Sequence, residues 1–251
     1  MVHTADLYYF SPTGGTKKVG ECFGKAAAEQ VVPVNLAAGE LKGSEDAALA
    51  VIAMPVFGGR IPAFGTEQLL KVNGNGKKAV TLAVYGNRAY EDALLELNNT
   101  AKKAGFQVIA SGAFIAEHSM NREVAAGRPD KEDEGQIQAF AETVLEKLAS
   151  GTDAEVKVPG NEPYKPHMKR MATPVCTEDC GLCGACAKAC PVDAIEIKEA
   201  VVTDPEKCIL CMACTNACVR GARVLPAPMK AHLQQLLGPL KEVRRENEMF
   251  I

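Results

Sequence analysis

The chain has no tryptophan, and aromatic residues make up only 5% of its 251 positions. A flat aromatic ligand would have to be faced by phenylalanine, tyrosine or aliphatic side chains. No apolar run approaches the roughly 18 residues that a membrane-spanning helix needs. There is no strong charge of either sign: the net charge is −3, so neither nucleic acid nor a lipid surface is an expected partner. The opening residues lack a basic, then apolar, then small-residue pattern, so no signal segment is expected and the cytoplasm is the expected compartment. Two phosphate-binding signatures are missing, Gly-x4-Gly-Lys-Ser/Thr and Gly-x-Gly-x-x-Gly. No NAD(P)H motif is seen.

Cysteine, by contrast, is abundant, with ten residues. Cys180, Cys183, Cys186 and Cys190 read C-x2-C-x2-C-x3-C and are followed by Pro191. Cys208, Cys211, Cys214 and Cys218 repeat the spacing 28 positions later, with Val219 where the first run has proline. A cubane cluster needs thiolates converging on four corners. A short loop brings three, and the fourth comes from the other run. Cys180, Cys183, Cys186 and Cys218 are therefore expected to hold one [4Fe–4S] cluster, and Cys208, Cys211, Cys214 and Cys190 a second. Gly181, Gly184, Ala185 and Ala213 would let backbone amides approach the sulfides. Zinc knuckles lack the trailing C-x3-C, and a disulfide framework belongs to secreted chains. Cys22, on an amphipathic segment, is read as a small core residue, and Cys176 as a bystander.

Residues 1–150 alternate strand-like and helix-like segments. Strands are expected over Asp6–Phe10, Val31–Leu36, Ala47–Met54, Ala79–Tyr85 and Val108–Phe114. Helices are expected over Thr16–Gln30, Ala63–Leu70, Tyr90–Ala104 and Lys131–Leu148. This alternation predicts an α/β fold, a five-stranded doubly wound parallel sheet of flavodoxin-like size. A proline- and glycine-punctuated linker follows over 151–175, then a small α+β two-cluster module over 176–225. A docking helix and tail occupy 226–251. Within 176–222 seven acids face four bases, which suits a basic redox partner.

In an open parallel sheet, ligands bind beyond the carboxyl ends of the strands. The loop after the first strand, Ser11-Pro12-Thr13-Gly14-Gly15-Thr16, puts hydroxyls and bare amides at a helix start. That is a cradle for a phosphate monoester held by neutral donors. It resembles the FMN phosphate loop of flavodoxins. The resemblance extends to Pro55-Val56-Phe57-Gly58-Gly59-Arg60 and to Tyr85-Gly86-Asn87-Arg88-Ala89-Tyr90-Glu91-Asp92, the positions that hold the isoalloxazine ring in that family. The whole chain resembles the fused flavodoxin–ferredoxin proteins of anaerobic bacteria. That implies FMN and two [4Fe–4S] clusters as cofactors. Phe57, Tyr85 and Tyr90 are candidates to face the ring. Gly58, Gly59, Gly86 and Asn87 would let backbone approach its polar edge. Arg60 or Arg88 would supply a cation near N1.

A further loop, Glu117-His118-Ser119-Met120-Asn121-Arg122, lies at the same sheet end, with His118 a candidate proton donor. Two functions follow. One is an electron carrier between redox partner proteins, linking clusters and flavin. The other is an oxidoreductase delivering electrons from the flavin to a small molecule such as a quinone, an unsaturated acid or free flavin.

Overall fold

The computed structural model describes all residues except 153 and 169–171, so parts of the 151–175 linker lie outside the described residues. The α/β unit runs β1 (Val2–Tyr9), α1 (Gly15–Ala27), β2 (Ala28–Asn35), β3 (Leu49–Pro55), α2 (Ala63–Leu69), β4 (Lys78–Tyr85), α3 (Ala93–Lys103), β5 (Gln107–Ile115) and α4 (Lys131–Ser150). The cysteine-rich module contains β6 (Val175–Cys176), α5 (Ala185–Lys188), β7 (Ile195–Ile197), β8 (Val201–Thr203), α6 (Ala213–Asn216) and β9 (Arg223–Val224). The chain ends with α7 (Ala227–Leu237) and β10 (Glu248–Phe250).

Strands β2, β1, β3, β4 and β5 lie side by side in that order and are all parallel. This is the flavodoxin-like order, whose direction reverses between β1 and β3 and opens a crevice there. The central strand β3, LAVIAMP, is buried along its whole length, as a strand covered on both faces must be. Helices α1 and α4 cover one face, where Leu7, Val19, Phe23, Val51, Phe114 and Phe140 pack together. On the other face Phe10, Ile52, Met54, Leu69, Leu97 and Phe106 form a second cluster. The five expected strands and four expected helices are present, with ends shifted by a few residues.

The sheet has one more strand than expected. Strand β10 pairs antiparallel with β5 and joins Met249 to Gly112 in register. The tail beyond 226 is thus more than a docking helix: it returns to the sheet as a sixth, edge strand. A polar knot anchors it. Asn247 Nδ2 donates to Asp133 Oδ1 at 2.9 Å and to Gln136 Oε1 at 2.6 Å, and its Oδ1 accepts from the Ile115 amide at 2.9 Å. Arg128 pairs bidentately with the same Asp133 and donates to the Arg245 carbonyl at 2.7 Å. Asp133 also accepts from the Asp130 amide, closing the capping box that starts α4. Arg244 reaches Asp130 at 2.7 Å. Sequence patterning misses β10 because three residues carry no period.

The linker also adheres to the α/β unit. Asp92 accepts from the Asn161 and Lys165 amides at 2.9 and 2.7 Å. Arg60 pairs with Glu96 through two contacts of 2.7 Å, and its guanidinium lies 4.8 Å from the centre of the Tyr164 ring. Among the described residues no helix is long and apolar enough to cross a membrane.

Asp133 joins α4, Arg128 and the tail, so its removal strands a buried guanidinium. Asp133→Ala is expected to lower unfolding stability by about 3–5 kcal/mol, read from urea denaturation. A loss below about 1 kcal/mol would contradict this account of the knot.

Candidate functional site: a cleft at the switch point and two cysteine cavities

The crevice between β1 and β3 opens into a cleft, open at its mouth. Pro12, Thr13, Gly15 and Thr16 form one wall and Pro55, Val56, Phe57 and Gly58 another. Tyr85, Gly86 and Arg88 close the far side with Glu117, His118 and Ser119. The roof comes from elsewhere in the chain: Leu233, Leu236 and Leu237 of α7, and Leu210 and Cys211 of the second cysteine run.

The phosphate-type loop has the expected local form. Gly14 sits at φ +95° just before α1, a conformation that favours glycine. Ser11 Oγ accepts the Lys17 amide at 2.9 Å, and the Gly14 carbonyl takes that of Lys18. Among the described residues no protein acceptor takes the amides of Thr13, Gly14, Gly15 or Thr16. They stand at the positive end of a 13-residue helix. The nearby lysines turn away, Lys17 towards Tyr9 and Glu21 and Lys18 towards the Pro129 carbonyl. Neutral donors alone face the cleft here.

Four of the expected ring contacts fall outside the cleft. Asn87 is fully buried, donates to the Leu240 and Val243 carbonyls at 3.2 and 2.6 Å, and accepts from the Arg245 amide. Tyr90 stacks edge-on against Tyr85 and donates to Glu248 at 2.7 Å. Asp92 is occupied by the linker amides, and Gly59 packs under Glu91. The loop thus spends these groups on holding the tail and linker, which a sequence pattern cannot reveal. Arg60, buried against Glu96, is likewise no candidate cation. Arg88 lines the cleft, paired with Glu91 at 3.1 Å.

His118 packs on Gly86, where a Cβ would come within 2.5 Å of its ring. Burial, and after it the charge of Arg88, pushes the imidazole down to about 4. Its Nδ1 lies 3.2 Å from the Met120 amide and accepts from it, which puts the proton of the neutral ring on Nε2. A ring neutral at pH 7 is not a ready imidazolium donor.

The cysteines surround two separate cavities. Cys190, Cys208, Cys211 and Cys214 line one of them. Cys180, Cys183, Cys186 and Cys218 line the other, together with Cys176. Each run of three therefore faces the last cysteine of the opposite run. Among the described residues no three His, Cys, Asp or Glu side chains converge tightly enough for a single metal ion. Burial pushes the Cys211 thiol up to about 12, with Cys214, Cys190 and Cys208 adding to the rise against a hydrogen bond from Ala213.

Both runs wrap in the same way. Leu182 and Gly184 have φ of 51° and 77°, and their counterparts Leu210 and Met212 have 54° and 65°. Three of these are not glycine, at a cost of about 1–2 kcal/mol each. Strain repeated at matched positions marks a loop shaped around its contents. Small residues in the loops were the sequence signal, and at position 212 that signal is absent. Near the second cavity, the Ala194 amide donates to Cys190 Sγ at 3.3 Å. Cys22 takes no part: it packs between α1 and α4 with its thiol towards the Glu134 carbonyl.

Residues 179–222 match the family described as the 4Fe-4S dicluster domain. No curated protein matches the chain. Among solved structures it is similar to a flavodoxin from the domain Archaea, at 17% identity, covering 58% of this chain and 99% of that one, TM-score 0.44. It is also similar to the Streptococcus pneumoniae TIGR4 flavodoxin, at 18% identity, 59% and 99% coverage, TM-score 0.43. A Fusobacterium nucleatum flavodoxin bound to flavin mononucleotide is 13% identical, with 57% and 98% coverage and TM-score 0.42. The strand order, rather than these scores, defines the α/β unit. The chain joins an α/β unit of flavodoxin-like strand order to a cysteine-rich module whose residues 179–222 match the 4Fe-4S dicluster domain.

The depressed pKa of His118 has a consequence for stability. Between about 6.5, the ordinary value, and about 4, the unfolded chain binds one proton more than the folded chain. Stability therefore falls as pH drops through that window. Relative to His118→Asn, the native protein should lose roughly 1 kcal/mol between pH 7.5 and 5.5, read from urea midpoints at matched cluster content. A gap that does not change with pH would contradict a buried neutral imidazole.

Proposed function

We propose that this protein is an electron carrier that links two [4Fe–4S] clusters to a bound FMN. The observation that carries this reading is a shared wall: Leu210 and Cys211 line both the switch-point cleft and the second cysteine cavity. FMN would exchange one or two electrons there, and each cluster one.

The residues fit both groups. The free amides of Thr13 to Thr16 and the α1 terminus would hold the FMN phosphate without a lysine. Val56, Phe57, Tyr85 and the α7 leucines supply apolar faces for a flat ring, and Gly58 and Gly86 allow backbone approach. Arg88 is the cation at hand for the polar edge. Cys208, Cys211, Cys214 and Cys190 would hold the cluster beside the cleft. Cys180, Cys183, Cys186 and Cys218 would hold the outer one. At that outer cavity Cys183 is exposed, as are Leu182 and Val219, the latter 94% accessible. This is the face where a partner protein would exchange electrons, and a reducing compartment such as the cytoplasm suits such clusters. The α7 leucines roof the cleft, and His118 is neutral, so the reading as a small-molecule oxidoreductase has less to support it.

Anaerobically purified protein, denatured and chromatographed, is expected to release FMN, and iron and sulfide analysis to give two clusters. Release of FAD, or of no flavin after reconstitution, would overturn the flavin half. Gly86→Ala drives a methyl into the His118 ring and is expected to lower flavin occupancy at least several-fold with cluster content unchanged. Equal occupancy would remove Gly86 from the site.

A further inference from the structure

The cysteine module buries a guanidinium whose hydrogen-bond partners are a thiol and a hydroxyl. Arg223, on β9, is only 3% exposed. Its backbone pairs with Cys176 across the β6–β9 ribbon. Its Nη1 donates to Cys176 Sγ at 3.5 Å, and its Nη2 donates to Thr203 Oγ1. Among the described residues its buried Nε has no hydrogen-bond partner. On the far side the guanidinium also reaches Cys214. The groups that act on it most strongly are two sulfurs, Cys176 and Cys214.

Those neighbours belong to different cavities. Cys176 lines the first, with Cys180, Cys183, Cys186 and Cys218. Cys214 and Thr203 line the second. The side chain therefore stands between the two cages. A buried guanidinium held by neutral partners is costly, so a fold that keeps one gains from negative charge nearby. Four thiolates around an iron–sulfur core are net negative, and become more so on reduction.

We propose that Arg223 is the shared counter-charge of the two cages, stabilising the reduced form of both and so raising both reduction potentials together. The inference rests on the two-cluster reading above. Arg223 is a positioning residue: it ligates nothing and acts through the field at the sulfurs and the hydrogen bond to Cys176. Because it is buried, salt screens it little. That separates it from Arg220, which is exposed and rests on the Asp179 carbonyl at the surface. Cys176, read from sequence as a bystander, becomes the acceptor that seats the guanidinium on the first side.

The test is an anaerobic redox titration of the full chain followed by EPR, with iron and sulfide analysis of every sample. Arg223→Gln is expected to move both cluster midpoints to more negative potential, by more than Arg220→Gln does, at low and at high salt. Arg223→Lys, which keeps the charge, is expected to restore most of the shift. Arg223→Gln protein with two intact clusters and native midpoints would overturn the proposal, as would a shift confined to one cluster. If Arg223→Gln does not fill with iron, Thr203→Asp neutralises the same charge by pairing it. Both midpoints should again fall, and native midpoints there would be equally fatal. Fewer than two clusters in the native protein would instead defeat the two-cluster reading itself.

Discussion

The return of the C-terminus to the sheet is the constraint on which the rest of the molecule depends. Residues 248–250 add an antiparallel edge to β5, and the Asp133–Arg128–Asn247 knot holds the turn that leads there. The cysteine module is thereby tied at both ends. Its entry is the linker held by Asp92 and its exit is the tail held by Asn87 and Asn247. Two tethers fix orientation where a single flexible linker would give only a local concentration. This is why α7 lies over the cleft and Cys211 stands in its wall.

The same arrangement explains the departures from a simple flavodoxin-like surface. The loop after β4 carries Asn87, Tyr90 and Asp92 at positions suited to facing a ring, yet all three are engaged by tail or linker. A free α/β unit leaves that rim to solvent. Here it is the socket of an intramolecular interface, and polar groups buried in it must find partners. Arg60 illustrates the point: its charge is neutralised by Glu96 beneath the linker residue Tyr164.

Within the cysteine module, the doubled sequence is matched by doubled backbone. The left-handed residues recur at equivalent places although their side chains differ, Gly184 against Met212. The repeat is therefore one of conformation, and only partly of residue type. The asymmetry lies in exposure. The second cage is walled by the cleft and by apolar side chains, while the first opens beside Leu182 and Val219. One cage faces inward and the other outward, with Arg223 between them.

The sequence by itself determined the elements whose cause is local. Apolar runs bounded by turns specify five strands. Hydroxyls and glycines before a helix specify the loop from Ser11 to Thr16, and the cysteine spacing specifies two sets of thiols and their exchanged fourth members. Only the tertiary structure decided the contributions that come from far along the chain. These are the strand β10, the leucine roof of α7, the capture of Asn87, Tyr90 and Asp92, and the burial of Arg223 beside Cys176. The helical spacing of the α7 leucines is legible, but not what they cover, and the others have no period or motif. Each brings together residues far apart in the chain, such as Asn87 and Val243, Asp92 and Lys165, or Cys176 and Arg223, and such contacts leave no mark in a local pattern.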